Sequence, residues 1–508
     1  MQRRSGLLVH PTSFPSPYGI GDLGAGAYEF IDFLCKTRQN LCQVLPLGPT
    51  GYGDSPYQSF STFAGNHYLI SPELLCKEKY LSFSDLERVP AFDSDFVDYG
   101  PVIEYKMGLF RKAFERFEPN KDYNKFCRLN KKWLEDYTLF VALKKFFIEK
   151  RKNDQDIPAE QADYYYGATW NTWPEDIASR SKKAIAHYKE LLADEIAFHN
   201  FLQYEFFRQW GKLRAYANKK GIKIIGDVPI FVAMDSSDVW ADSALFQLDS
   251  KNNPKAVAGV PPDYFSETGQ LWGNPLYDWA AHKKQNYAWW SSRMTALLDL
   301  VDIIRIDHFR GFESYWATPF GHPTAENGKW MKGPGKAVFV AMTKELGHLP
   351  IIAEDLGVIT DKVRALKDSL GFPGMRVLQF AFTPDGKNLY MPHNFETAAT
   401  VVYTGTHDND TTVGWYNTAP EDEKDYLRRY LNVSGEDIAW DLTRLAWSSC
   451  AMYAIAPIQD IFAMGSKARM NTPGVPTGNW KFRYRGERLN DDVAGKLAYL
   501  TEMYNRVV

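Results

Sequence analysis

Four acidic side chains stand directly after short apolar runs of the sequence. They are Asp227 in "IKIIGDVPIF", Asp307 in "DIIRIDHFRGF", Glu354 in "PIIAEDLG" and Asp408 in "VVYTGTHDND". Like charges brought together in a fold are costly and shift one another's pKa values. Such a group therefore indicates either a metal site or a carboxylate-based catalyst. One nucleophilic and one acidic carboxyl are also the basic equipment for glycoside chemistry.

The run around Asp307 has the alternation of a β-strand. Ile303, Arg305 and Asp307 fall on one face, and Ile304 and Ile306 on the other. In a barrel of parallel strands one face meets the surrounding helices and the other faces the lumen. We therefore expect Arg305 and Asp307 to point inward, near the mouth of the barrel.

The other three carboxylates show the same parity in the sequence. We expect Asp227 to share a face with Ile225, Glu354 with Ile352, and Asp408 with Thr404 and Thr406. A single Arg–Asp pair in a strand is more often a structural ion pair. Four strands that each end in a carboxylate favour a functional site at the carboxyl ends of the strands.

A metal site is the main alternative chemistry for these residues. His308 or His407 could join the carboxylates around a divalent cation. The sequence has no HExxH, no EF-hand pattern and no compact histidine cluster, and its 10 histidines are scattered. We predict neither a metal nor a cofactor.

Helical patterns alternate with short apolar strands along most of the chain. Amphipathic stretches at 27–38, 195–219, 336–346, 360–370 and 420–431 are interleaved with strands. This order predicts an α/β protein with a (β/α)₈ barrel. A doubly wound open sheet is the alternative, but no glycine-rich nucleotide-binding motif follows a strand.

The stretch between about 73 and 200 breaks this rhythm because helical patterns dominate it, and it includes the aromatic run 163–176. We predict the start of the barrel in 1–72, a mostly helical insertion in 73–200, and the rest of the barrel in 201–508. The segment near 259–277, rich in Gly, Pro and aromatic residues, has the composition of a lid loop.

Composition restricts the partners and the compartment. The 508 residues carry a net charge of -3 without a basic block, which argues against binding to nucleic acid or to an anionic membrane. The five cysteines are widely spaced and form no CxxC pair, as expected of free thiols in a reducing compartment. No apolar stretch has the length of a membrane span or of a signal-peptide core. We expect a cytoplasmic protein, and the 15% of aromatic residues suit either a sugar cleft or a large core.

Several longer segments follow one another between residue 10 and about 480. They are "HPTSFPSPYGIGDLG", "QVLPLGPTGYGDSPYQSFSTFAGN", "GDVPIFVAMDSSDVW", "GVPPDYFSETGQLWGNPLY", "RIDHFRGF", "AEDLG", "GFPGMRVLQFAF", "YTGTHDNDTTVGWY" and "ARMNTPGVPTGNW". In this order they resemble the amylomaltases, the 4-α-glucanotransferases of glycoside hydrolase family 77, which are related to the α-amylases. The α-amylase segment corresponding to "GDVPIF" usually ends in Asn-His, whereas Ile230 and Phe231 stand here, as is typical of the amylomaltase branch.

The resemblance implies a role for each matched residue. Asp307 matches the nucleophile, Glu354 the general acid/base, and Asp408 the third carboxylate, which helps to hold a distorted sugar. The matched substrate contacts are Arg305, His407 and Asp227 near subsite −1, Gln270 and Trp272 in the lid, Phe380, Asn471, Ser55 and Tyr57 in the cleft, and Tyr52 in a secondary glucan groove.

The implied reaction is transfer of an α-1,4-glucan segment from a maltooligosaccharide to the 4-hydroxyl of an acceptor, with retention. Retention requires the carboxyls of Asp307 and Glu354 to lie about 5–5.5 Å apart. We expect Asp307 and Asp408 to raise the pKa of Glu354, and Arg305 to keep Asp307 ionised. An α-glucan hydrolase of the same architecture, a non-catalytic glucan-binding protein and a metal-dependent sugar isomerase remain alternatives.

Overall fold

The computed structural model describes residues 2–152, 169–262 and 266–507 of the chain. In chain order its strands are β1 Arg4–Leu8, β2 Leu41–Gln43, β3 Lys223–Pro229, β4 Ala256–Val260, β5 Gln270–Pro275, β6 Ile303–Asp307, β7 Ser314–Pro319, β8 Lys329–Lys332, β9 Ile351–Ala353, β10 Gly374–Val377, β11 Thr400–Tyr403 and β12 Tyr453–Pro457.

Eight of these strands form one parallel sheet in the order β10-β11-β12-β1-β2-β3-β6-β9. The backbone N–H of Ala353 at the end of β9 donates to the carbonyl of Pro373 just before β10, at 2.9 Å. The two ends of the sheet therefore meet, and the sheet is a nearly closed barrel. The predicted (β/α)₈ barrel is confirmed.

The two faces of the barrel strands carry different clusters. Ile304 and Ile306 pack outward into the large core shared with the helices. The lumen holds a separate apolar cluster of Leu8, Leu41, Ile225, Ile303, Ile352, Met375, Val377, Val401, Tyr403 and Ile455. The expected inward face of Ile303, and with it the inward parity of Arg305, is confirmed.

The parity expected for Asp408 is wrong. Strand β11 ends at Tyr403, and its lumen residues are Val401 and Tyr403, so Thr404 falls on the opposite face. The Thr404 hydroxyl donates to the buried Asp460 at 2.6 Å. The chain leaves the strand here and turns, and this turn, not strand alternation, determines where Asp408 lies.

Helices surround the barrel, and the predicted ones lie within about two residues of their expected bounds. The described helices are Ala25–Lys36, Pro72–Lys77, Tyr99–Glu115, Lys121–Leu129, Lys131–Lys152, Glu175–Ala178, Lys182–Leu191, Ala193–Lys219, Ser237–Ala241, Trp279–Lys284, Ala288–Leu300, Lys336–Leu346, Asp361–Leu370, Thr412–Thr418, Glu421–Leu431, Ile438–Ser448, Ile458–Ile461 and Asp491–Met503.

Helices also fill most of the described part of 73–200. The helix Ala193–Lys219 begins before residue 200 and ends where Gly221 takes a left-handed φ of 78°, the usual helix stop. Aromatic pairs such as Phe114–Phe198 and Phe117–Phe201 join it to its neighbours. The predicted domain boundaries at 72 and 200 stay a prediction. Of the aromatic run 163–176, residues 163–168 are outside the described part of the structure, and residues 169–176 are within it.

A second sheet was not predicted. It is antiparallel, in the order β5-β4-β7-β8. Part of the segment near 259–277 lies in strands β4 and β5, which pair as a β-hairpin, and its role as a lid stays a prediction. The hairpin pairs closely at Gly259, where a Cβ atom would lie 2.2 Å from the Gln270 carbonyl oxygen. Within the described ranges, no helix is both long enough and apolar enough to cross a bilayer.

Candidate active site

Strands β3 and β6 place three charged groups side by side. Their register pairs Asp227 with Arg305 and Pro229 with Asp307. The Arg305 guanidinium, 3% exposed, donates through Nη1 to Asp227 Oδ2 at 2.5 Å and to Asp307 Oδ1 at 3.0 Å. Asp227 is fully buried, whereas the Asp307 side chain is 28% exposed. Asp307 is thus the member of this group that a ligand in the mouth can reach.

Glu354 follows β9 and is held by two backbone N–H groups. Its Oε2 accepts from His308 N at 2.8 Å, and its Oε1 accepts from Leu356 N at 2.7 Å. His308 has a left-handed backbone, with φ 53° and ψ 48°, which is uncommon for a residue other than glycine. This turn comes directly after Asp307, so one short piece of backbone orients both carboxylates. Strained turns of this kind concentrate at functional sites.

The two carboxylates have different pKa values. Burial and, second, the charge of Asp307 raise the pKa of Glu354 to about 7, while Arg305 and the two N–H donors oppose the rise. Burial also raises the pKa of Asp307 to about 6, with Asp227 and Asp408 adding to the rise and Arg305 opposing it. Glu354 therefore keeps its proton to a higher pH than Asp307 does.

Arg305 favours the ionised form of Asp307, in the direction that the sequence analysis expects. Burial and the neighbouring carboxylates Asp227 and Asp408 outweigh it, so the net pKa of Asp307 is raised. For Glu354, burial contributes more than the neighbouring charge of Asp307 does.

Asp408 is fixed by the segment that follows β12. Asn471 Nδ2 donates to Asp408 Oδ1 at 2.6 Å, and Arg469 Nη2 donates to the Asp408 carbonyl at 2.7 Å. His407 Nε2 lies 3.4 Å from Asp408 Oδ2. The Asp408 side chain stays 44% exposed, which leaves one carboxylate edge available at the mouth.

Aromatic rings form a wall beside this carboxylate. Tyr57 and His407 stack with centroids 5.1 Å apart and planes at 14°. Trp480 contacts both rings, at 5.7 and 6.0 Å. Tyr57 Oη donates to Asp227 Oδ2 at 2.8 Å, and Ser55 Oγ accepts from Tyr57 N at 3.3 Å. The hydrogen bond from Tyr57 therefore links the aromatic wall to the group of Asp227, Arg305 and Asp307.

The hairpin brings two further predicted residues to the mouth. Trp272 Nε1 donates to Gln270 Oε1 at 3.2 Å. The Trp272 indole meets the His308 ring edge to face, with centroids 4.8 Å apart. Gln58 Nε2 donates to the Trp272 carbonyl at 3.4 Å, so the Tyr57 loop supports the hairpin.

Two predicted residues are less directly connected to the carboxylates. Phe380 packs against the lumen cluster and meets Tyr390 edge to face at 5.6 Å. Burial chiefly raises the pKa of Tyr390, and the charge of Glu354 adds to the rise, which places this pair on the Glu354 side. Tyr52 belongs to the short turn Tyr52–Asp54, and its side chain is outside the described part of the structure.

Sequence reasoning missed two residues of the mouth. Trp480 ends the last matched segment, so its position in a motif was the available signal. His308 was considered only as a possible metal ligand, whereas its backbone N–H holds Glu354. In the part of the chain that the structure describes, no group of three or more His, Cys, Asp or Glu residues is arranged to hold a metal ion.

A barrel with two carboxyls of different pKa, a third carboxylate and an aromatic wall at its mouth defines a class: (β/α)₈ enzymes that act on glycosidic bonds. Comparison with known proteins narrows this class. The sequence profile described as 4-alpha-glucanotransferase, glycoside hydrolase family 77, matches residues 9–490. The chain belongs to this family.

Individual relatives cover the whole chain. A 4-alpha-glucanotransferase of Synechocystis sp. is 49% identical over 99% of this chain and 98% of its own length. One of Thermus thermophilus is 46% identical over 100% of both. The solved amylomaltase of Streptococcus agalactiae, in complex with acarbose, superposes with a TM-score of 0.93 and 38% identity over 100% of both chains.

Proposed function

We propose that Asp307 and Glu354 carry out the 4-α-glucanotransferase reaction of this chain by a double displacement. The observation that carries this proposal is that one turn orients both carboxyls, with the pKa of Glu354 above that of Asp307. An ionised nucleophile and a protonated acid can then coexist, as glycosyl transfer with retention requires.

The first displacement breaks the donor α-1,4 bond. Glu354 gives its proton to the leaving glycosidic oxygen while a carboxylate oxygen of Asp307 bonds to the anomeric carbon. The shortened glucan leaves with a free 4-hydroxyl, and a β-linked glycosyl-enzyme remains on Asp307. In the second displacement Glu354, now a base, takes the proton of an acceptor 4-hydroxyl, whose oxygen displaces Asp307. Two inversions restore the α configuration.

The surrounding residues hold the sugar. Asp408, oriented by Asn471, accepts hydrogen bonds from hydroxyls of the distorted glucose, and Arg305 and His407 bind the same unit. Tyr57 supplies a stacking face. Gln270 and Trp272 on the hairpin cover the site and limit the access of water to the glycosyl-enzyme. Phe380 and Ser55 line the cleft, and Tyr52 belongs to a secondary glucan groove.

Maltooligosaccharides and longer α-1,4-glucans are the proposed donors and acceptors. The reaction as proposed needs neither a metal nor a cofactor, because Arg305 supplies the positive charge beside Asp307. We propose a cytoplasmic location, which the five free cysteines support. We further propose that the helical part within 73–200 is an accessory unit beside the barrel.

Incubation with maltotriose tests the proposal. Transfer yields glucose and a ladder of longer oligosaccharides at a constant number of reducing ends. The α-glucan hydrolase alternative instead predicts a steady rise in reducing ends and no products longer than the substrate. A ladder that persists at an unchanged rate in Asp307→Asn would exclude Asp307 as the nucleophile.

A further inference from the structure

Arg293 is a buried cation that the reaction described above does not use. It lies on the helix Ala288–Leu300 and is 1% exposed. Its hydrogen bonds all go to uncharged oxygens, and its guanidinium lies over the rings of Trp290 and Trp289, at 5.0 and 5.5 Å. Burial lowers the pKa of Arg293, and the charge of the buried Asp238, whose carboxylate accepts from Thr62 N at 2.8 Å, opposes this. Burying a charge is costly, so the partners that hold this one are of interest.

The guanidinium binds oxygens from three separate segments. It donates to the carbonyls of Pro229 at 2.6 Å and Ile230 at 3.0 Å. It also donates to the Thr62 hydroxyl at 2.7 Å and to the Tyr277 hydroxyl at 3.4 Å. A rigid planar fork with five donors is suited to holding several acceptors in one fixed arrangement.

Each of the three segments carries or adjoins a residue that the proposed function places at the sugar. Pro229 pairs with the nucleophile Asp307 across strands β3 and β6. Thr62 lies on the same loop as Tyr57, and Tyr277 follows β5 of the hairpin. Arg293 thus connects three parts of the site: the end of strand β3 beside Asp307, the loop that carries Tyr57, and the hairpin of β4 and β5.

Other bonds strengthen this junction from the hairpin side. The Tyr277 hydroxyl donates to the Ile230 carbonyl at 2.7 Å. Asn274 Nδ2 donates to the Val232 carbonyl at 2.9 Å. The hairpin is therefore anchored to the turn after β3. Arg293 binds the same turn through the carbonyls of Pro229 and Ile230.

We infer that Arg293 is a positioning residue that sets the hairpin and the Tyr57 loop against Asp307, and so decides whether the glycosyl-enzyme reacts with a sugar acceptor or with water. This inference rests on the proposed function. If the junction loosens, the cover moves away from the acceptor site and water gains access. The share of hydrolysis then rises, while the carboxylates that cleave the donor remain in place.

Arg506 provides a matched control. It is 0% exposed and donates to the carbonyls of Arg4, Ala446, Trp447, Ser449 and Ala451. These groups lie at the start of β1, at the carboxyl end of the helix Ile438–Ser448 and just before β12, opposite the catalytic mouth. Arg506→Met therefore removes an equally buried, carbonyl-binding guanidinium far from the substrate.

The experiment compares Arg293→Met with Arg506→Met on maltotriose, with thermal unfolding measured for both. We expect both variants to lose thermal stability, and only Arg293→Met to lose transfer relative to hydrolysis, by on the order of 10-fold or more. The ratio compares glucose formed with the increase in reducing ends. An equal ratio in both variants would overturn the inference.

Two milder variants apply if Arg293→Met does not fold. Tyr277→Phe and Thr62→Val each remove one oxygen that the guanidinium binds and nearly conserve side-chain volume. We expect each to lower the transfer-to-hydrolysis ratio severalfold, and unchanged ratios in both would contradict the inference. Unmodified protein that only hydrolyses maltotriose would instead refute the proposed function itself.

Discussion

The pH dependence of the first displacement is the most direct consequence of the site geometry. Asp307 must be ionised, so activity is lost as the pH falls through its pKa of about 6. Glu354 must be protonated, so activity is lost as the pH rises through its pKa of about 7. The profile of kcat/KM against pH is therefore expected to be bell-shaped, with a maximum near pH 6.5.

The two carboxyls titrate as an interacting pair, so the two limbs of the bell belong to the pair. Beyond either limb the active form falls about 10-fold for each pH unit, and activity is therefore highest between about pH 6 and pH 7. A site with unshifted carboxyls would have an optimum near pH 4 and would be almost inactive at neutral pH. Burial of the pair is the physical reason for the difference.

The assay measures kcat/KM against pH on maltotriose, whose leaving sugar needs the acid. A maltotrioside of 4-nitrophenol is the control, because its leaving group departs without an acid, and we expect its profile to keep the limb near pH 6 and to lack the limb near pH 7. Glu354→Gln should lose about 10²–10⁴-fold in kcat/KM on maltotriose and far less on the control substrate. A limb near pH 7 that survives on maltotriose in Glu354→Gln would show that another group is the acid.

Other changes probe the remaining parts of the site. Asp307→Asn should lower kcat by on the order of 10⁴-fold or more with the fold intact, measured on maltotriose with circular dichroism as control. Asn471→Asp places a second carboxylate against Asp408, across the present 2.6 Å bond, and should raise the pH at which activity appears. Tyr57→Phe leaves the buried Asp227 with one donor fewer and should cost about 1–3 kcal/mol in unfolding free energy, measured by denaturant titration. EDTA should leave the rate unchanged, and inhibition that added metal reverses would revive the metal-dependent alternative.

The sequence by itself determined the parts of this protein that depend on local periodicity. Side chains alternate across a strand because of covalent backbone geometry, so the inward face of Ile303 and Arg305 could be predicted without a structure. The helices could be predicted from their own local period of about 3.6 residues. Matched segments also indicated the family before any residue had been placed in space.

The tertiary structure decided what depends on residues brought together from distant parts of the chain. Asp227 and Arg305 are bonded although 78 residues separate them, and Asn471 reaches Asp408 only because two loops meet at the mouth. The turn after Tyr403 was mistaken for a continued strand, since its direction depends on Asp460, which lies 56 residues beyond Thr404. The order of the two pKa values also required the fold, because burial, its largest cause, is produced by all the strands and loops around the mouth together.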